Sequence, residues 1–396
     1  MRADRADGFV AHNFTVRGAL EHGLYIEETD GYRVDTVKMF WNADYGNLTF
    51  TSDHGLYTDC DGMGAGDAVL YPGGAPETGN QADKSFYPDA PRFNTTVRDC
   101  DMRGSVLAYS GSMGNAVRIT HNNIYGNTAG ISTDTISAAG HPGFPADSAQ
   151  IDNNFIYSNN FDIYADDAPV KPLVTVPVGT GIVYAGMNDA RVHDNWIFDN
   201  WRDGAMLFAV PDSLTNGGGA EGDIFPGVSC PGAPANGFST SCANEFHHNT
   251  MGRMPSGFKA PGAIDQFGNV HALDGGGVRK PNGNDFWWDE FNTNRWNCWY
   301  GNTGPDGTPG SVTGSGDAGN APAVPPNPLP DCAGGANQDL SVGTGDVAKE
   351  AYLIDCAEGP DQDTGPLDCD WWTTPPRPGS AAAARRNRAR ASAARD

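Results

Sequence analysis

The chain has 396 residues, 38% of them hydrophobic, with 52 Gly, 28 Pro and a formal net charge of −24. So many turn formers argue against a helical protein, and so acidic a body argues against nucleic acid or an anionic membrane as a partner of its bulk surface. No apolar run is long enough to span a bilayer, no Cys-x-x-Cys pair offers a zinc site, and eight cysteines point to disulfides.

The chain opens Met-Arg-Ala-Asp-Arg-Ala-Asp, with no apolar signal segment. The first recognisable coil begins at Val10, with nothing before it to cap an apolar end, which a solenoid needs. The expectation is an incomplete N-terminus in which the strand near Phe14–Val16 exposes an open end. From Val10 one short phrase returns at Val34, Tyr57, Val97, Ile119, Ile151 and Val192, with weaker copies at Phe246 and near Phe286. Unbroken intervals are 22 to 24 residues, and a period of this size means a solenoid. Apolar residues come in short alternating runs such as Leu24–Ile26, Leu48–Phe50, Ile131–Thr133 and Met206–Phe208. Alternation of this kind reads as strands. Stacked units would pair parallel strands about 4.8 Å apart around one continuous core, with Ile124, Ile156 and Ile197 inside it.

Asn13, Asn122, Asn154, Asn195 and Asn249 stand fourth in their copies. Asn tolerates the left-handed conformation of a sharp corner, and stacked amides can bond up and down a coil as a ladder. In the copies at Tyr57 and Val97 the fourth place holds Cys60 or Cys100. These two are expected to form a disulfide on adjacent coils.

The phrase "apolar-x-x-Asn-x-Ile-Tyr-x-Asn, then Gly-Ile" resembles the right-handed parallel β-helix repeat of pectin-lyase-like proteins, over about residues 7–302. The resemblance implies an all-β solenoid of about nine coils with a short cysteine-containing C-terminal extension. It does not imply one activity, because lyases, hydrolases, epimerases, tailspikes and adhesins share this coil. Residues 211–241 read as a loop insertion closed by Cys230–Cys242, and Asp285 through Asn302 as a last aromatic coil. A Gly/Pro-rich linker follows over 303–330, then a segment over 331–374 holding the one helical stretch, Asp346–Ile354. Cys298–Cys332 and Cys356–Cys369 are the remaining expected bridges, and 375–396 reads as a disordered basic tail.

Two long central insertions carry the chemistry-bearing residues. Asp134 precedes the one with His141; Asp166 and Asp167 precede Lys171. If they leave adjacent coils at equivalent strand ends, all five side chains share one depression. A carboxyl pair there could hydrolyse a glycosidic bond, which needs carboxyl groups about 5–9.5 Å apart. Alternatively Asp134, Asp166 and Asp167 hold Ca²⁺ while Lys171 abstracts a proton in β-elimination. Tyr164 and Tyr184 are expected to meet substrate. The polygalacturonase pattern is echoed only by Ser132-Thr133-Asp134 and Asp166-Asp167, with no later His-Gly or Arg-x-Lys. His247-His248 suggests a metal, but neighbours on a strand point to opposite faces, so both read as structural. Trp287, Trp288, Trp296, Trp299 and Tyr300 could stack on sugars or close the end of the coil.

These readings describe a secreted or surface β-helix that binds an extracellular polysaccharide or cell-surface glycan, as a glycoside hydrolase or polysaccharide lyase. The rival is a non-catalytic surface scaffold or adhesin on the same coil. Clustering of the carboxylates in one cleft would separate the two.

Overall fold

The computed structural model describes residues 1–75, 94–136, 141–211, 238–239, 241–256, 258, 279–289, 291, 294, 296–307, 312–313, 315–317, 321–322, 353, 356, 369–380 and 382. The chain winds repeatedly through three parallel sheets of ten, nine and eight strands, here sheets I, II and III. Each turn of the coil adds one strand to each, as in Ala129–Asp134, Gln150–Asp152 and Phe155–Tyr157. The result is a right-handed parallel β-helix. Alternation sends every second residue inward: Leu24 and Ile26 are buried while Tyr25 and Glu27 are half-exposed.

Ile124, Ile156 and Ile197 are register partners in sheet III and fully buried. Each such side chain removed from water stabilises the coil by roughly 1.5–3 kcal/mol. Tyr125, Tyr157 and Phe198 point outward in the next column, with near-parallel rings 5.1 and 5.0 Å apart. Asn122, Asn154, Asn195, Asn249 and Asn302 form a buried ladder. Each amide nitrogen bonds the side-chain oxygen of the next Asn at 2.9–3.0 Å. A second ladder runs through Asn127, Asn159, Asn200 and Asn282. Cys60 and Cys100 continue the first column downward as a disulfide with Cα atoms 4.5 Å apart. The Cys100 amide donates to Asn122 Oδ1, so ladder and disulfide are joined.

The left-handed conformation falls one residue earlier than the sequence suggests. His121, Asn153, Asp194 and His248 carry φ of 54–55°, while the ladder asparagines that follow them do not. Asn13 belongs to that left-handed column, with φ 56°, because the first copy is offset by one. Ala11, not Val10, pairs with Val34. A slip of one residue turns a side chain to the other face, and Val10 is 58% exposed. The coil also begins earlier than Val10, since Arg2–Asp4 pairs with Leu24–Glu27 in sheet I. Residues near the start therefore form a rung of the coil, and Phe14 and Val16 remain partly exposed.

At the other end, Phe286 lies in a sheet I strand, Asn284–Trp288. The sheet II partner of Phe246 is Trp299. Val312–Thr313, inside the expected linker, adds a further strand to sheet I. Cys356 and Cys369 are bonded to each other. Cys242 and Cys298 are each in a disulfide, while Cys230, Cys332 and most of the expected helix 346–354 lie outside the described residues. Trp371 is buried against Phe208, and its carbonyl accepts from the Val178 amide at 3.0 Å. Within the expected disordered tail, Arg377 Nε stands 3.6 Å from Asp199.

Candidate functional site

The outer face of sheet I changes character along its length. In the later coils it is apolar and covered: Val183, Met206, Phe208 and Trp287 pack beneath Ile163 and Val176 of the insertion before Thr180, and beneath Leu353 and Trp371. In the earlier coils Tyr25, Leu48 and Phe50 remain half-exposed. Rings pass along this part from Tyr25 to His22 at 5.4 Å, to Tyr45 at 5.3 Å and to Tyr71 at 5.0 Å. The rings are tilted by 49–75° to one another, so they interlock edge to face as a continuous aromatic strip.

Polar groups gather at the boundary between the two parts. The Tyr71 hydroxyl lies 2.9 Å from His141 Nε2, and the imidazole sits edge-on to Phe50 with centroids 4.9 Å apart. The Tyr45 hydroxyl donates to Asp67 Oδ2 at 2.7 Å. Burial pushes the Asp67 carboxyl up to about 7, opposed by the Tyr45 bond and reinforced by the charges of Asp134 and Asp44. Asp134 ends its strand, 6% exposed, and accepts from Ser112 Oγ at 2.6 Å, the Ile136 amide at 3.1 Å and Ser132 Oγ at 3.3 Å. Burial raises its pKa; those bonds and the nearby His141 oppose the shift. Burial and the charge of Asp134 raise the Tyr71 hydroxyl as well. Asp67, pushed up to about 7, is the carboxyl group here that can exchange a proton near neutral pH, while Asp134 is biased in the same direction.

Asp134 and His141 thus share one site, but Asp166, Asp167 and Lys171 do not join them there. The insertion that carries these three leads into Thr180–Ala185, whereas Asp134 closes the preceding strand, and the partner of Asp134 in the next coil is Ala185. The insertion folds back over the leading end of sheet I, where the Leu173 amide donates to Gly66 O at 2.8 Å. A Cβ on Gly66 would fall 2.6 Å from the Lys171 carbonyl. Asp166, Asp167 and Lys171 are exposed on that loop. The calcium set of Asp134, Asp166 and Asp167 is therefore not assembled; among the described residues no three His, Cys, Asp or Glu side chains form a metal-ligand group.

Neither expected tyrosine lines the site. Tyr184 faces inward and is fully buried, like Tyr32, Tyr57 and Tyr109. Tyr164 uses its hydroxyl to tie its own loop, donating to Val176 O at 3.0 Å and accepting from the Val176 amide at 2.8 Å. Trp287 and Trp288 are buried, so they pack instead of meeting sugars. Tyr45, Asp67 and Tyr71 gather here although no motif of the sequence singles them out. Their signal lay in the repeat: His22 and Tyr45, Asp44 and Asp67, and Tyr25, Leu48 and Tyr71 each recur one period apart.

No protein-family model matches the chain, and no curated protein matches it. Similar solved structures include the A-module of the mannuronan C-5 epimerase AlgE4 of Azotobacter vinelandii, at 10% identity and TM-score 0.41 over 76% of this chain and 63% of that one. A double mutant of the periplasmic alginate epimerase AlgG is similar at 11% identity and TM-score 0.44, over 72% of this chain and 47% of that one. An alginate lyase from Paenibacillus sp. str. FPU-7 is similar at 13% identity and TM-score 0.33, over 76% of each. The chain spans less than two thirds of the length of the two epimerase structures. Its strand pairing makes it a right-handed parallel β-helix repeat protein.

Proposed function

We propose that this protein binds an extracellular polysaccharide along the aromatic outer face of sheet I and cleaves a glycosidic bond beside Tyr71. The observation that carries the reading is the Tyr71–His141 hydrogen bond set next to the buried Asp134 at the end of the Tyr25–His22–Tyr45 series. Asp67, held near a neutral pKa, is the candidate general acid for the leaving oxygen. Tyr71 and His141 are the candidate pair for accepting a proton from water or from a sugar carbon. Secretion or surface display fits the disulfides, which persist in oxidising compartments. No helix of the described residues is long and apolar enough to cross a membrane.

A non-catalytic scaffold is the second reading, and Asp134 favours it, because three hydrogen bonds already occupy its carboxylate. Incubation with neutral and acidic polysaccharides separates the two when reducing ends and unsaturated products are both read. New ends of either kind support cleavage; glycan binding without new ends leaves the scaffold.

A further inference from the structure

On the far side of the coil, the pair His247-His248 does not behave as two neighbours on a strand should. His247 ends the sheet II strand Glu245–His247 and faces outward. His248 takes φ 54°, and this left-handed step swings its side chain back toward the same side. The rings meet nearly perpendicular, at 89°, with the two Nδ1 atoms 2.9 Å apart.

Aromatic rings of neighbouring coils flank the two imidazoles. His193 stacks on one face of His247 at 4.8 Å and 4°, and Tyr300 on the other at 4.8 Å and 17°. Tyr300 also meets His248 edge-on at 5.2 Å. His193 is tied by its Nδ1 to Asp194 at 2.9 Å. Gly301 of the following coil lies against His248, where a Cβ would be 2.9 Å from the imidazole Cδ2. The backbone cannot drift, because Asn249 is locked to Asn302 through both its amide and its side chain at 2.9 Å.

We propose that His247 and His248 form a copper(II)-class metal site, binding the ion through both Nδ1 atoms. Two Nδ1 atoms 2.9 Å apart can share one ion at about 2.0 Å each once the imidazoles turn enough to open the hydrogen bond between them, and Cu²⁺ heads the affinity order of divalent ions for nitrogen sites. Imidazole ligands in a tetragonal arrangement suit Cu²⁺ or Ni²⁺. In the metal-free pair one Nδ1 carries the hydrogen that the other accepts. On binding, that hydrogen moves to Nε2 of the same ring and both Nδ1 lone pairs turn to the ion. His247 is half-buried and His248 exposed, so water or another oxygen donor completes the coordination. The site owes nothing to the cluster around Tyr71, which lies on another sheet.

Cu²⁺ titration of the full chain, carried on no histidine tag and followed by electron paramagnetic resonance, tests this. The expected result is one ion per chain in a tetragonal spectrum with splitting from two nitrogens. His247→Ala and His248→Ala should each weaken binding by at least the roughly 10–100-fold that loss of an outer-shell partner costs, with unchanged β circular dichroism. His121→Ala, at the equivalent left-handed position three coils earlier, should bind as the parent does. Binding that survives both substitutions, a one-nitrogen spectrum, or no stoichiometric site would overturn the proposal and leave the contact as a hydrogen bond alone.

Discussion

Tyr71 and His141 stand 70 residues apart in the chain, yet the Tyr71 hydroxyl and His141 Nε2 are 2.9 Å from one another. The coil makes this meeting possible: Tyr71 faces outward from sheet I, and His141 returns on the insertion that follows Asp134. Asp134, buried beside them, gives the pair an electrostatic neighbour.

If the protein cleaves a polysaccharide, Tyr71→Phe and His141→Gln should each lower kcat by about 10²–10⁴-fold, the usual weight of one proton-transfer group. Thermal melting should move little. Tyr184→Phe and Lys171→Ala should leave kcat unchanged, because one hydroxyl is sealed inside the coil and the loop that carries Lys171 folds over the other end of sheet I. Equal losses at Tyr71 and Tyr184 would show that the effect is one of folding, and would remove Tyr71 from the chemistry.

The corner predicts an opposite response from two adjacent asparagines. Asn154 donates to Asn195 Oδ1 and Ile119 O and accepts from the Asn122 amide, all buried. Asn154→Ala leaves several of these groups unpaired and should cost roughly 2–4 kcal/mol in urea denaturation. Asn153 holds the left-handed seat, with φ 55°. Asn153→Gly should therefore stay within about 1 kcal/mol of the parent, while a β-branched Asn153→Val is strained there and should cost more.

How far the sequence revealed the molecule follows from what repeats report. Inward positions recur because every coil must fill the same core, so Ile124, Ile156 and Ile197 are legible in the sequence alone. The Asn column was readable for the same reason, although its ladder role and the left-handed seat beside it were merged into one residue. Val10 was misplaced because its apolar side chain imitates the leading residue, whereas Ala11 is the one buried. Outward columns obey no common packing rule, and Tyr45, Asp67 and Tyr71 went unread despite their periodic spacing. Asp166 and Asp167 failed for a different reason: the direction in which a long insertion folds back is set by tertiary contacts such as Leu173 to Gly66, which no local pattern encodes.

Cys60 and Cys100 occupy ladder positions, which allows a substitution test of the column itself. Replacing both by Ser should destabilise the protein by about 2–4 kcal/mol, the usual loss for a disulfide. Replacing both by Asn should cost less than the Ser pair, because the amides can extend the ladder downward from Asn122, to which the Cys100 amide already donates. Comparison of the melting temperatures of the two double variants decides this. Asn no better than Ser would mean that the lower coils do not present the ladder geometry.

Asp147 provides the pH dependence. It is 2% exposed in the corner between sheets I and II, accepts a hydrogen bond from Ser148 Oγ, and its own amide donates to Asn115 Oδ1 at 2.9 Å. Burial, reinforced by the charge of Asp189 and opposed by the Ser148 bond, pushes its carboxyl up from 3.8 to about 7. In the folded chain this group keeps its proton through a range in which the unfolded chain has lost it. Its contribution to stability is therefore full below about 3.8, falls as pH rises through that range, and levels above about 7. Asp147→Asn keeps an oxygen for Ser148 and carries no charge, so it lacks this decline. Across pH 4 to 8 the melting temperature of the variant should rise relative to the parent, with most of the change between about pH 4 and pH 7. Parallel melting curves for the two proteins over that range would show that Asp147 is ionised throughout in the folded coil.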